Sequence, residues 1–221
     1  TQLEIPGITL HFWLEKWNEE WKEGHIQQLR AVGENVFVLQ AHTKNGNMEW
    51  VIRLPGLITE STRKWVPLAS QPAWIRSAKK FLENARIEQI VQEGLDRILR
   101  VECNQVTLII ELFGAGNFLI ADKQNRILVA QDAREWKGRI LKKNHEYKPP
   151  LGPTAWNQLP QNADEIFSTP QHHTVGRWAV TRLGVPAVLS RDWIENGCKL
   201  NPQSETLSQK EWLVLRAWLE K

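Results

Sequence analysis

From Leu10 to Trp21 the apolar positions Leu10, Leu14, Trp17 and Trp21 recur every three or four residues among Glu15, Lys16, Glu19 and Glu20. That spacing predicts a surface helix with one buried stripe, ended by Gly24. The pattern then alternates. Strands are predicted over residues 25–31, 35–42 and 49–54, and Lys44-Asn45-Gly46-Asn47 supplies residues that tolerate positive φ at a hairpin turn. After a connection punctuated by Pro55, Pro67 and Pro72, the residues Trp74, Ala78, Phe81 and Leu82 return to helical spacing among Arg76, Lys79 and Lys80.

Period-two runs follow at residues 86–92, 97–103, 106–112, 118–121 and 127–130, separated by Gly94, Asn104-Gln105, Gly114-Ala115-Gly116 and Asp122-Lys123-Gln124-Asn125. Five short strands with tight turns suggest an antiparallel β-sandwich or partly open barrel, flanked by the two helices. Proline and glycine then interrupt the chain from Pro149-Pro150 to Pro170, as in a linker lying on the surface. Beyond it the spacing is helical: Val175, Trp178, Ala179 and Leu183 form one stripe, and Val188, Leu189 and Trp193 another. Ser208-Gln209-Lys210-Glu211 is a capping box before Trp212, Leu215, Trp218 and Leu219. The predicted class is α+β with a small all-α domain after it: residues 1–150, a proline-rich linker over 151–172, and 173–221.

A chain of 221 residues, 42% of them hydrophobic, holds one large domain or a medium one plus a small one. Cys103 and Cys198 have no spacing that suggests a disulfide framework or zinc site, so a reducing compartment is the expectation, with no metal and no cofactor. No apolar stretch approaches a membrane span, and the first residues lack the order of a signal peptide, which points to a cytoplasmic, non-membrane protein. The net charge of +3 leaves nucleic acid open without demanding it. Its distribution is more telling. Arg134, Lys137, Arg139, Lys142, Lys143 and Lys148 lie together against only Glu135 and Glu146, which reads either as a positive patch or as a solvated loop face. Twelve tryptophans accompany a single tyrosine, and their mostly helical spacing favours core positions over base stacking.

Leu183-Gly184-Val185-Pro186 between two helical stripes has the layout of a helix-hairpin-helix, in which Gly184 turns the chain and exposes backbone N–H groups to a phosphate. An ordinary helical hairpin is the alternative. Gly114-Ala115-Gly116-Asn117 lacks the strand-to-helix context and following Lys of a nucleotide cradle, so it reads as a tight hairpin or a place of close backbone approach. Asp96-Arg97 enters a strand and, taken alone, fits a surface ion pair as well as a contact site. None of the six histidines falls in H-E-x-x-H or H-x-H spacing, and there is no G-x-S-x-G elbow, so catalysis has no strong foothold in these motifs and a non-enzyme is the expectation.

Taken jointly, residues 89–99 (Gln-Ile-Val-Gln-Glu-Gly-Leu-Asp-Arg-Ile-Leu), residues 108–122 around Glu111-Leu112-Phe113-Gly114-Ala115-Gly116-Asn117, and Tyr147-Lys148-Pro149-Pro150 resemble the NFACT N-terminal domain in words, order and spacing. Residues 14–30 and 74–86 resemble its opening helix with first strand and its amphipathic helix. The resemblance covers most of residues 8–150, and 176–221 looks like the helix-hairpin-helix that follows in the same family. That family includes ribosome-associated quality-control factors that recruit tRNA to stalled large subunits, and bacterial proteins labelled fibronectin-binding. It implies tRNA or the large ribosomal subunit as partner, with DNA as a further candidate. Carried over, Asp96 and Arg97 become the contact positions, with Gly114, Gly116 and Asn117 shaping the neighbouring surface. Arg97 would meet a phosphate or stack on a base, and Asp96 would orient it or accept from a 2′-OH. The full-length quality-control members continue into a coiled coil, whereas this chain stops at Lys221; it is a fragment or a short member.

The same domain resembles formamidopyrimidine-type DNA glycosylases, which attack with an N-terminal proline amine beside a glutamate. Those places hold Thr1 and Gln2 here, with Glu4 nearby, and Gln2 cannot serve as the acid. Three functions therefore stand side by side: an RNA-binding module, a DNA glycosylase or lyase, and a protein-interaction adaptor anchored by exposed tryptophans.

Overall fold

The computed structural model describes residues 4–94, 96–136, 138–150, 174–183, 185 and 187–219. The fold is α+β. Its contacts divide it into two compact units, Thr1–Ile5, Thr9–Glu93 and Arg97–Pro150 in one, and Pro6–Ile8, Gly94–Asp96 and Leu151–Lys221 in the other.

Helix α1 (Gly7–Trp21), which lies in the first unit from Thr9 onward, precedes four strands of that unit, β1 (His25–Gly33), β2 (Val36–Thr43), β3 (Gly46–Arg53) and β4 (Leu57–Glu60), which form an antiparallel sheet in sequence order. Helix α2 (Ala73–Leu82) leads to a five-stranded antiparallel sheet, again in sequence order: β5 (Ile87–Gln92), β6 (Ile98–Cys103), β7 (Val106–Glu111), β8 (Asn117–Asp122) and β9 (Ile127–Ala130). A hairpin of β10 (Arg134–Trp136) and β11 (Arg139–Leu141) follows. The sheets are open and do not close into a barrel, which removes the barrel alternative. Each meander runs from one edge to the other, so no strand is left to pair its first member with its last.

All five strands predicted for the second sheet occur within a residue or two of their predicted limits. Strand β4 and the β10–β11 hairpin were not anticipated. Leu57–Glu60 is too short to show alternation, and the apolar residues of the hairpin are outnumbered by charges. The turn between β2 and β3 is closed by Thr43, whose hydroxyl receives the Asn45 N–H at 3.1 Å, and Gly46 takes a φ of 92°.

One core joins both sheets and both helices, and it accounts for much of the tryptophan bias. Trp50 on β3 stacks on Trp21 with ring centres 4.0 Å apart and meets Trp17 at 4.7 Å, while Trp74 from α2 stacks on Phe118 of β8 at 5.4 Å. Of the tryptophans whose side chains are described, Trp17, Trp21, Trp50, Trp178, Trp193 and Trp212 are buried and Trp13, Trp65 and Trp74 half-buried. None stands exposed as an interaction anchor.

A second apolar layer lies on the other face of the five-stranded sheet, where Ile98, Ile109, Leu119 and Ile127 pack under Leu141 and Tyr147. Residues after β11 are tied to that sheet by backbone bonds, Ile127 N–H to the His145 carbonyl and Tyr147 N–H to the Asn125 carbonyl, each at 2.8 Å. The basic stretch is therefore a cover over the sheet, not a free loop.

In the second unit lie helices α3 (Val175–Leu183) and α4 (Ala187–Asp192), a π-helical turn at Trp193–Gly197, and α5 (Gln209–Leu219). They share a core of Val175, Trp178, Ile194, Trp212 and Leu215. The predicted capping box is formed: Ser208 N–H donates to Glu211 Oε2 at 2.8 Å and Glu211 N–H donates to Ser208 Oγ at 3.3 Å. The Ser208 hydroxyl also donates to Oε2 at 2.7 Å, and this bond first, with the Ser208 N–H second, holds the Glu211 carboxyl below its ordinary pKa. The linker predicted over 151–172 lies outside the described residues, as do Gly184 and Pro186 of the predicted hairpin turn.

Candidate nucleic-acid interface

Asp96 and Arg97 lie in the bend that brings the chain into β6, and both are half-buried. The Arg97 carbonyl accepts the Leu112 N–H at 2.8 Å, which fixes the start of β6 against the end of β7. Its guanidinium Nη1 donates to Glu4 Oε2, and the Arg97 side chain keeps 25% of its surface exposed. Glu4 is itself anchored, because the next residue, Ile5, donates its N–H to the Gly56 carbonyl at 2.6 Å. The N-terminal segment and the Pro55-Gly56 turn therefore hold a carboxylate beside Arg97. Sequence reasoning paired Arg97 with Asp96 and missed Glu4, which lies 93 positions away.

The two glycines in the neighbouring loop have different work. Both take positive φ, 59° at Gly114 and 72° at Gly116. A Cβ on Gly114 would meet nothing within 4 Å, whereas one on Gly116 would fall 2.8 Å from Leu54 Cβ. Gly114 is open surface, while Gly116 lets β8 approach the end of β3. Asn117 is 1% exposed, and its amide is matched to one residue: Nδ2 donates to the Asp132 carbonyl at 2.9 Å and Oδ1 accepts the Asp132 N–H at 3.1 Å. It clamps the chain after β9 and presents no group to solvent.

The predicted basic patch is brought together but largely paired within itself. Arg134 donates Nε to Asp132 at 2.6 Å, and Lys142 is paired with Glu135. Lys143 is exposed, and Lys137 lies outside the described residues. Arg139 is the exception in burial. Its Nη2 donates to Glu111, its Nε donates to the Lys148 carbonyl at 2.6 Å, and its guanidinium carbon lies 5.5 Å from the centre of the Tyr147 ring. The Tyr147 hydroxyl donates to the same Glu111 oxygen at 3.0 Å. Burial and then the Glu111 carboxylate push the Tyr147 hydroxyl well above its ordinary pKa, so it remains a donor. A sequence signal for this network existed in Leu108-Ile109-Ile110-Glu111-Leu112, where an acid interrupts an apolar run and must find a partner inside.

Thr1 and Gln2 lie outside the described residues, and the Glu4 carboxylate is engaged by Arg97. Among the described residues no group of three or more His, Cys, Asp or Glu is placed to hold a metal ion, and no helix is long and apolar enough to cross a membrane.

Two open antiparallel sheets on a shared aromatic core, followed by a helical unit, define an α+β architecture found in three solved bacterial proteins. The N-terminal domain of the fibronectin-binding protein PavA from Streptococcus pneumoniae is 24% identical, covers 88% of this chain and 81% of its own, and superposes with a TM-score of 0.72. The N-terminal part of the fibronectin/fibrinogen-binding protein from Streptococcus suis is 18% identical over 99% and 85% of the two chains, with a TM-score of 0.76. The fibrinogen-binding protein from Staphylococcus aureus is 14% identical over 97% and 79%, with a TM-score of 0.68. At these identities the likeness concerns the fold. The chain belongs to the NFACT family, since residues 6–221 match the family described as NFACT N-terminal and middle domains. No curated protein matches it in sequence.

Proposed function

We propose that this chain is an RNA-binding module whose target is tRNA or ribosomal RNA in a ribosome-associated, cytoplasmic setting, with Asp96 and Arg97 as its primary contacts. The observation that carries the reading is membership of the NFACT family together with the placement of Arg97. That guanidinium is oriented by Glu4 while 25% of the side chain stays exposed, and an arginine already held in place meets phosphate at little ordering cost. Gly114 and Lys143 are open to solvent and extend the contact surface, and Arg134 and Lys142 add charge from within their own pairs. A helix-hairpin-helix within 173–221, joined through a linker over 151–172, belongs to the same proposal, with Gly184 offering backbone N–H groups to a phosphate. The test is titration with tRNA at two salt concentrations. Arg97→Ala and Asp96→Ala are each expected to weaken binding by about tenfold, the scale of one charged hydrogen bond. Unchanged affinity in both variants overturns the assignment.

A second reading, a protein-binding adaptor, is favoured by the names of the three structural neighbours, which bind fibronectin or fibrinogen. Capture of fibronectin or fibrinogen that survives nuclease and high salt, with no salt-sensitive tRNA binding, selects it instead.

A further inference from the structure

The first unit contains a groove of about 360 Å³ between β1, the 61–72 connection and α2, remote in sequence from Asp96-Arg97 and from the basic stretch. Three kinds of surface meet there. Pro67 and Leu68 form an apolar wall, and Leu68 keeps 40% of its surface exposed. Gln27, Gln28 and Gln40 supply amides. Gln28 Nε2 donates to Gln40 Oε1 at 2.7 Å, which leaves Gln28 Oε1 as an acceptor and Gln40 Nε2 as a donor, and Gln27 is the extra residue of the β1 bulge. Arg76 and Lys79 form a cationic rim, both exposed on α2.

The edge of β1 is capped at both ends of this groove. Ile26 N–H donates to the Ala85 carbonyl at 2.9 Å, and Ala31 N–H donates to Gln71 Oε1 at 2.7 Å. By strand alternation Leu29 also turns its N–H and C=O to that side. Arg30, only 9% exposed, lines the groove as well. Its Nη2 donates to Glu49 at 2.6 Å, but its Nη1 is buried with no hydrogen-bond partner. The local charge is positive: residues 61–83 carry Arg63, Lys64, Arg76, Lys79 and Lys80 against a single acid, Glu83, which lines the groove 3.8 Å from Lys79 Nζ.

We propose that the β1–α2 groove seats one nucleotide of single-stranded RNA, with the base against Pro67 and Leu68, its edge on the free glutamine amides, and its phosphates on Arg76 and Lys79. An apolar wall beside amides and cations is the combination that recognises an unstacked nucleotide, since each base offers a π-face, a hydrogen-bonding edge and an adjoining anion. The proposal rests on the RNA-binding reading but places a second contact where that reading has none.

The test uses a fluorescein-labelled oligouridine hexamer with the full chain, read by anisotropy at two salt concentrations. Arg76→Glu/Lys79→Glu, both on exposed positions, is expected to weaken hexamer binding at least tenfold and to flatten the salt slope by about 1.4, the share of two single-strand phosphates. Gln27→Ala/Gln28→Ala is expected to weaken it about threefold with the slope unchanged. Hexamer affinity in the charge variant within twofold of the parent overturns the proposal, as does a parent chain that does not bind the hexamer. Equal displacement by inorganic polyphosphate of matched charge also overturns it, because the groove would then recognise charge alone. Loss of hexamer binding in the groove variant, alongside tRNA binding insensitive to Arg97→Ala, supports the groove while removing Asp96-Arg97 as the primary contact.

Discussion

Replacement of Arg139 by Met separates a structural arginine from an RNA-contacting one. The substitution keeps much of the apolar stem and removes the charge, the donor to the Lys148 carbonyl and the guanidinium over Tyr147. What remains is the Glu111 carboxylate, whose side chain is 4% exposed, with the Tyr147 hydroxyl as its remaining described side-chain donor. Leaving one member of a buried ion pair unmatched costs about 3–5 kcal/mol. With a urea dependence of about 2 kcal/mol per molar, the unfolding midpoint falls by roughly 1.5–2.5 M. Far-ultraviolet circular dichroism in urea reads this, because the lost structure is mostly sheet. Arg139→Met/Glu111→Gln should recover about 1–3 kcal/mol of the loss, since the neutral amide no longer needs a counter-charge. Affinity for tRNA, corrected for the folded fraction, should not change. A midpoint unmoved by Arg139→Met, with tRNA binding reduced, would refute the argument and make Arg139 a contact.

Gly114→Ala and Gly116→Ala both place a side chain at positive φ and share a backbone cost of about 1–2 kcal/mol. Only the Gly116 variant also drives a methyl into Leu54, which should add about 1–3 kcal/mol. Equal losses in thermal unfolding would show that packing on Leu54 is not what requires glycine. Glu20, near Glu60, has its pKa raised from 4.5 by burial and then by the Glu60 charge. The folded state therefore holds the Glu20 proton more tightly than the unfolded chain does, and stability falls as pH rises through that raised value. Glu20→Gln should stabilise the protein at neutral pH, with the gain vanishing below the ordinary carboxylate range; a gain that persists in acid contradicts this.

Several elements were legible because their cause is local. The five strands of the second sheet follow from period-two alternation broken by turn residues, and the Ser208–Glu211 cap from two side chains three residues apart that satisfy each other's backbone N–H groups. Strand β4 was not legible, because four residues give too little alternation and its pairing is supplied by β3. The tryptophan count pointed to core positions, but the stacking of Trp21 on Trp50 depends on α1 lying on the first sheet.

Chain composition and spacing by themselves determined the α+β class, the second sheet and the capped last helix, while the family was reached through the resemblance of the residues around Asp96-Arg97 and Gly114-Ala115-Gly116-Asn117 to known members. The tertiary structure decided what each candidate residue is free to do. Arg139 and Lys143 look alike in a basic run, yet Arg139 lies beneath its own hairpin on Glu111, and Lys143 faces water. Gly114 and Gly116 differ only in whether Leu54 lies behind them. Availability to a ligand depends on burial and on partners tens of residues away, and periodicity, which records only near neighbours along the chain, carries no measure of either.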